Sequence, residues 1–381
     1  AMMVLAVLVM LIPPLVFAAP FSVWIYRALT LLVVACPCAL VISTPVTVVS
    51  GLAAAARAGI LIKGGVHLEN GRRLRAIALD KTGTLTQGKP VVTAVLSKSA
   101  LSEDEVLGLL ASLESRSEHP LASAILSRWG DRALEQVDEF EALVGRGLRG
   151  VVQGKTYRAG SARLVQEAGL AVPDLTDLET AAKTLLFLLD DSQVLGVVAV
   201  SDPIRESSKA VVARLKSLGI VPLMLSGDDQ QTAAAIAAQL GIQEVAGNLL
   251  PEDKLQAVEQ QLERFGYVGM VGDGINDAPA LARASVGFAM GAAGTATALE
   301  TADVALMQDD LRGLVEFVLL SRQTGRLLTQ NIVFSVLVKL AALGLSLTGH
   351  LTLWMAVLAD VGATLLVVAN GLRLLRFRPQ R

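Results

Sequence analysis

The sequence predicts a doubly wound α/β sheet with a second, α+β domain inserted into it, carried between transmembrane α-helices. Three observations lead there. Long apolar runs lie at the two ends of the 381-residue chain. Between them, short apolar strands end in polar, Gly-rich turns and alternate with Ala-rich helices, the pattern of a parallel sheet. That alternation stops between residues 88 and 196 and then resumes, as an insertion would make it do.

The apolar ends occupy residues 2–19, 24–56, 332–347 and 351–369, and raise the hydrophobic fraction to 53%. Crossing a bilayer takes roughly 20 mainly apolar residues, so each run is long enough or nearly so. Pro20 closes the first run, and Thr348-Gly349-His350 makes a short turn between the last two. Lys63, Arg72, Arg73 and Arg75 follow the second run, and Arg373, Arg376, Arg378 and Arg381 follow the fourth. The junction of the first two, just inside the second, holds only Arg27. The positive-inside rule then places the middle and the C-terminus on the cytoplasmic side of a cell membrane, with lipid as a partner and both hairpin turns outside. The opening Ala1-Met2-Met3 leads straight into apolar sequence without a charged n-region. It reads as a start within a larger architecture and not as a signal peptide. A net charge of −2 offers no basic field for nucleic acid. The two cysteines, Cys36 and Cys38, sit inside an apolar run and do not form a secreted disulfide framework.

The middle carries phosphate chemistry. Asp80-Lys81-Thr82-Gly83-Thr84-Leu85-Thr86 follows the apolar strand 76–79. A carboxylate at a strand end, facing a Gly turn, is placed to attack a phosphoryl group. A lone Asp usually caps a helix, but three further strand-end groups weigh against that here. Ser226-Gly227-Asp228-Asp229 follows strand 221–225 and offers a hydroxyl and backbone amides to phosphate oxygens. Lys254, in Pro251-Glu252-Asp253-Lys254, is a point charge suited to phosphate. Gly272-Asp273-Gly274-Ile275-Asn276-Asp277 follows strand 267–271 and offers carboxylates to Mg²⁺, which commonly takes one or two.

Together these strings resemble the haloacid-dehalogenase superfamily, specifically its P-type ATPase branch. The resemblance covers essentially the whole chain. It implies ATP as substrate and Asp80 as the phosphorylated nucleophile. Lys81, Thr82, Ser226, Gly227, Asp228 and Lys254 would serve the phosphoryl group. Asp80, Thr82, Asp273 and Asp277 would hold Mg²⁺. Related phosphatases carry a second acid two positions after the nucleophile, where this chain has Thr82. Threonine cannot act as a carboxyl acid/base, so the aspartyl phosphate should persist.

In the insertion, Glu114, Ser117-Glu118-His119-Pro120 and Gly145-Arg146-Gly147-Leu148-Arg149-Gly150 stand out. A lone GxGxxG that opens no helix after a strand is a weak dinucleotide signal, and a lone His-Pro is usually a surface turn. The combination resembles the nucleotide-binding domain of heavy-metal P-type ATPases, which implies that Glu114, His119, Gly145 and Gly147 line an adenine pocket.

Within the second apolar run, Cys36-Pro37-Cys38 places a helix breaker between two thiols. Broken membrane helices surround transport sites, and two thiolates make a soft-metal site. Lys339 and Asp360 are ionisable residues in otherwise apolar segments, where charge is costly and usually functional. The contexts Gln330-Asn331…Lys339 and 355–364 resemble the zinc/cadmium/lead-exporting subgroup. Copper exporters carry neutral polar residues and a Met-Ser-Ser pattern instead. The implied cargo is a divalent soft or borderline ion (Zn²⁺, Cd²⁺ or Pb²⁺) held by Cys36, Cys38 and Asp360, with Lys339 as the nearby counter-charge.

The expected borders are a metal-site hairpin at 1–71, a phosphorylation domain at 72–87 and 197–324, a nucleotide-binding domain at 88–196 and a C-terminal hairpin at 325–381. The resemblance also implies partners that these residues do not supply: an actuator domain with a Thr-Gly-Glu loop, and further membrane helices. The expected function is ATP-driven metal export. A copper(I) exporter, a membrane-tethered phosphatase and a non-transporting piece that only binds nucleotide and metal are the competing readings.

Overall fold

The computed structural model describes residues 2–17, 19–117, 120–143, 146–175, 183–272, 277–291, 300–348 and 350–378. Its elements begin with α1 (Met2–Phe17), α2 (Phe21–Ala35), α3 (Cys38–Arg57), β1 (Ile60–Ile62), α4 (Gly65–Gly71) and β2 (Ala76–Asp80). Next come β3 (Val91–Ser97), α5 (Glu103–Glu114), α6 (Pro120–Trp129), β4 (Val137–Leu143), β5 (Gly147–Val152), β6 (Lys155–Gly160), α7 (Ala162–Glu167), β7 (Thr184–Leu189) and β8 (Val194–Ser201). Then follow α8 (Glu206–Ser217), β9 (Val221–Leu225), α9 (Gln230–Leu240), β10 (Glu244–Ala246), α10 (Pro251–Phe265), β11 (Val268–Gly272) and α11 (Ala278–Arg283). The chain closes with β12 (Val286–Met290), β13 (Val304–Leu306), α12 (Arg312–Leu347) and α13 (Leu353–Leu372). These elements divide into two units, one of Arg75–Ala284 with Ala293–Thr301, the other of Ala1–Leu74, Ser285–Ala292 and Ala302–Arg381.

In the first of these units the strands β11, β2, β9 and β10 lie side by side in that order and run parallel. All five residues of β2 and of β11 are buried. Such uninterrupted apolar strands suit a sheet covered on both faces. Ala76, Ala78, Leu223 and Met270 pack beneath Val258 of α10 and Leu281 of α11. Every parallel strand therefore delivers its C-terminal end to one edge, and Asp80 is the last residue of β2.

The same unit holds a six-stranded antiparallel sheet in the order β3-β8-β7-β6-β5-β4. Leu107, Leu110 and Leu113 of α5 and Ile125 of α6 pack on one face. Leu164 and Val165 of α7 pack on the other. Ser102 starts α5 with a capping box: its hydroxyl accepts from the Glu105 amide, and the Glu105 carboxylate accepts from the Ser102 amide. The insertion expected to end at residue 196 extends further. The strand β8 runs unbroken from Val194 to Ser201, because its alternate residues fill both cores of the antiparallel sheet.

The other unit contains the apolar helices. Spans Phe21–Arg57, Arg312–Ser346 and Leu353–Arg376 are long and apolar enough to cross a membrane, whereas the apolar segment Ala6–Phe17 is shorter. The outer faces carry exposed Trp354, Leu358 and Leu365, and small residues such as Ala39, Ala356 and Ala363 face inward. Asn331 lies in this packed interior. Its amide donates to the Val367 carbonyl at 3.1 Å and the Thr47 hydroxyl at 3.4 Å, and its Oδ1 accepts from Asn370 at 2.8 Å. Those bonds join α3, α12 and α13. A domain border was expected between residues 324 and 325, but α12 runs through it as one 36-residue helix, about 54 Å long. No proline interrupts α12, and Gly325 inside a helix costs too little to stop it.

Candidate functional site

Asp80, Asp277 and Lys254 come from three elements and meet at the strand ends. The Lys254 ammonium donates to Asp80 Oδ1 at 2.5 Å and to Asp277 Oδ1 at 2.7 Å. All three residues are buried. Burial pulls the Lys254 pKa down, but the charges and hydrogen bonds of Asp80 and Asp277 outweigh it, and the net direction is up. Lys254 is therefore held protonated against two carboxylates. Gly272 makes room for this cluster: a Cβ there would lie 2.5 Å from the Asp277 carboxylate.

The turn after Asp80 requires Gly83, whose φ is +71°. Lys81 is buried and forms an ion pair with Asp228. The Ser226 hydroxyl accepts from the Asp228 amide at 3.1 Å, with Gly227 between them in the same turn. Asp80, Lys81, Thr82, Ser226, Gly227, Asp228, Lys254 and Asp277 thus share one end of the parallel strands. Asp273 lies outside the described residues.

Two residues that sequence reasoning passed over hold this loop. The Arg205 guanidinium donates to the Gly83 carbonyl and to the Thr86 carbonyl, each at 2.9 Å. The Asp202 carboxylate accepts from the Thr86 hydroxyl and from the amides of Gly88 and Lys89. An Asp-Pro pair closing a long apolar strand was the available signal.

A cavity of about 450 Å³ opens in the antiparallel sheet, lined by Glu114, Ser117, Arg146, Gly147, Gly160 and Ser161 among others. Gly147 has φ +147°, and a Cβ there would lie 2.0 Å from the Ala159 carbonyl, so no side chain fits. Glu114 is 3% exposed and its Oε2 has no hydrogen-bond partner among the described residues. Burial raises its pKa against a hydrogen bond with Ser117 that lowers it, and burial wins. His119 and Gly145 lie outside the described residues. A larger space of about 700 Å³, lined by Lys81, Thr82, Asp228 and Lys183, shares Ser161, Thr184 and Leu185 with the first. The two spaces adjoin, so a ligand seated by Glu114 can extend toward Lys81. Gly160, Ser161 and Lys183 are further lining residues that no sequence motif singled out.

The description "haloacid dehalogenase-like hydrolase" is that of the family model matching residues 74–285. The chain belongs to this family. It is also homologous to metal-transporting P-type ATPases. It is 48% identical to a probable cadmium-transporting ATPase of Alkalihalophilus pseudofirmus, over 99% of this chain and 54% of that one. It is 47% identical to a zinc/cadmium/lead-transporting P-type ATPase of Escherichia coli, over 99% and 51%. The crystal structure of a zinc-transporting PIB-type ATPase superposes with a TM-score of 0.86 at 46% identity, covering 98% of this chain and 62% of that one. The chain spans about half the length of the curated relatives it matches.

The second candidate site of this haloacid dehalogenase-like chain is in the helical unit. The helix α2 ends at Ala35 and α3 begins at Cys38, with Pro37 in the break. Where a helix stops, its last carbonyls lose their helical donors. Lys339 supplies one instead: its ammonium donates to the carbonyls of Val34 and Cys36 and pairs with Asp360 Oδ1 at 3.4 Å. Lys339 and Asp360 therefore face inward beside the break, as their cost in lipid demands. The thiols correct an expectation. Cys36 and Cys38 are joined as a disulfide across Pro37, since a two-residue separation at a helix break brings the sulfurs together. In this form neither is a thiolate, and among the described residues no three His, Cys, Asp or Glu side chains converge as ligands. Metal binding by Cys36 and Cys38 requires their reduction.

Proposed function

We propose that this chain is the catalytic and ion-binding part of an ATP-driven exporter of Zn²⁺, Cd²⁺ or Pb²⁺. The observation that carries the reading is that one chain has both a Lys254-bridged pair of carboxylates at a strand end and a Lys339–Asp360 pair at a proline-broken apolar helix. A soluble phosphatase needs only the first.

ATP would sit with its base by Glu114 and Gly147 and its phosphates in the adjoining space toward Lys81. An Asp80 carboxylate oxygen then attacks the terminal phosphorus. The new O–P bond forms as the bond to ADP breaks, and ADP leaves with that electron pair. Lys254 and Lys81 bring positive charge to the reacting centre. Asp80, Thr82, Asp273 and Asp277 would hold Mg²⁺: the Asp80 and Asp277 carboxylates, which converge on one ammonium, are hard oxygen donors that fit that ion. Bound there, Mg²⁺ supplies charge neutralisation to phosphoryl oxygens. Thr82 offers no carboxyl to speed hydrolysis, so the aspartyl phosphate lasts long enough to couple to movement of the ion. Water finally releases phosphate and restores Asp80.

In the membrane, the reduced Cys36 and Cys38 together with Asp360 bind the ion. Lys339 takes the cation's place when the ion is gone, so that Asp360 is never a lone buried charge. A carboxylate beside two thiolates favours a divalent borderline ion over copper(I). The catalytic residues would lie on the cytoplasmic side, and an actuator domain and further helices would complete the transport cycle. The test is ATPase activity of the intact reduced protein in the presence of Zn²⁺, Cd²⁺, Pb²⁺ and Cu⁺. Stimulation by the three divalent ions and not by Cu⁺ is expected; stimulation by Cu⁺ alone refutes the reading.

A further inference from the structure

Ser335 lies one turn before Lys339 on α12, so the two side chains share a helix face. It is 2% exposed, and its hydroxyl has no hydrogen-bond partner among the described residues. Helical Ser and Thr commonly bond back to the carbonyl four residues earlier. Thr30, Thr47, Ser50 and Thr364 in the same unit all do so. Ser335 does not. Together with Lys339 and Asp360 it lines a small cavity whose remaining walls are Val34, Val338 and alanines. The cavity measures about 10 Å³, roughly the space for one water-sized occupant. An unpartnered buried hydroxyl beside a charged pair marks a position that something fills.

We propose that the Ser335 hydroxyl is an oxygen ligand of the transported ion and biases the site toward Zn²⁺. The proposal rests on the reading of Cys36, Cys38 and Asp360 as the ion's anionic ligands. Two thiolates and one carboxylate make three ligands, and Zn²⁺ takes four in tetrahedral geometry. A neutral hydroxyl completes that number without adding charge. It is also harder than sulfur, so it benefits Zn²⁺ more than the softer Cd²⁺ and Pb²⁺. In the present arrangement the ammonium of Lys339 engages Asp360 and the carbonyls of the Pro37 break. On ion entry that ammonium withdraws, and the freed Asp360 carboxylate and the already unpartnered Ser335 hydroxyl turn to the ion from neighbouring helices.

The experiment measures dissociation constants of Zn²⁺ and Cd²⁺ by chelator competition, using the intact protein in detergent with a thiol-free reductant. Ser335→Ala should weaken Zn²⁺ by at least about tenfold, the scale of losing a supporting group at a metal site, and Cd²⁺ by clearly less. Ser335→Cys should shift the preference toward Cd²⁺, a gain that misfolding cannot produce. Ser43→Ala is the control: that hydroxyl is equally buried and unpartnered but does not line the cavity. The proposal is overturned if Ser335→Ala leaves Zn²⁺ affinity unchanged, or weakens both ions equally, while Asp360→Ala abolishes binding. If Asp360→Ala also binds normally, the underlying ion site is what fails.

Discussion

Replacing Lys254 by Met keeps most of the aliphatic stem and removes the ammonium that two buried carboxylates share. Asp80 Oδ1 and Asp277 Oδ1 each lie within hydrogen-bond reach of Lys254 Nζ, at 2.5 Å and 2.7 Å, and both residues are almost fully buried. The two oxygens are thus at most about 5 Å apart. At an effective dielectric of about 20, two unit negative charges at about 5 Å repel by roughly 3 kcal/mol. Breaking a buried ion pair by removing one partner costs a similar 3–5 kcal/mol. A loss of about 3 kcal/mol corresponds to opening roughly 150-fold more often, since each 1.36 kcal/mol is tenfold. Hydrogen exchange followed by mass spectrometry should show that acceleration in peptides covering β2 and β11 at neutral pH. Unchanged exchange in β2 refutes the electrostatic account of this cluster.

Asp80→Asn should abolish the hydroxylamine-labile acyl phosphate that ATP and Mg²⁺ form, and persistent labelling at another residue would exclude Asp80 as nucleophile. Glu114 has a raised pKa, so its ionisation costs the folded state stability as pH rises past the ordinary Glu value of about 4.3. Glu114→Gln should therefore flatten the stability–pH profile on the acid side and weaken ATP binding; an unaltered profile in denaturant titrations would remove burial as the cause. Arg205→Ala should free the carbonyls of Gly83 and Thr86, each hydrogen bond to that charge contributing about 1.5–3 kcal/mol. Slower phosphorylation with unchanged ATP affinity is expected, and a change confined to ATP affinity would contradict a positioning role. Asn331→Leu should lower the thermal stability of the helical unit, by about 1–3 kcal/mol for the polar atoms left unpaired, and an unchanged melting temperature would show that the amide cluster is not a clasp.

The amino-acid sequence by itself determined the chemistry. A carboxylate closing an apolar strand before Lys81-Thr82-Gly83, together with Ser226, Lys254 and Asp277 at other strand ends, is local pattern, and local pattern is what sequence records. It also determined which runs are apolar enough for a membrane and marked Pro37 as a candidate break, whereas Pro13, Pro14 and Pro45 are carried inside continuous helices. Tertiary structure alone decided which groups meet. That Lys254 bridges Asp80 and Asp277, which lie far apart in sequence, follows from parallel strands ending at one edge. That Arg205 and Asp202 hold the loop after Asp80 follows from the return of β8. Helix and strand continuity set the borders, carrying β8 past residue 196 and α12 past residue 324, because hydrogen-bonded ladders continue until a breaker stops them. The donation of Lys339 to the Pro37 break and the unpartnered hydroxyl of Ser335 are likewise facts of three dimensions. Each depends on where a neighbouring backbone leaves an acceptor or a space, and no one-dimensional spacing encodes that.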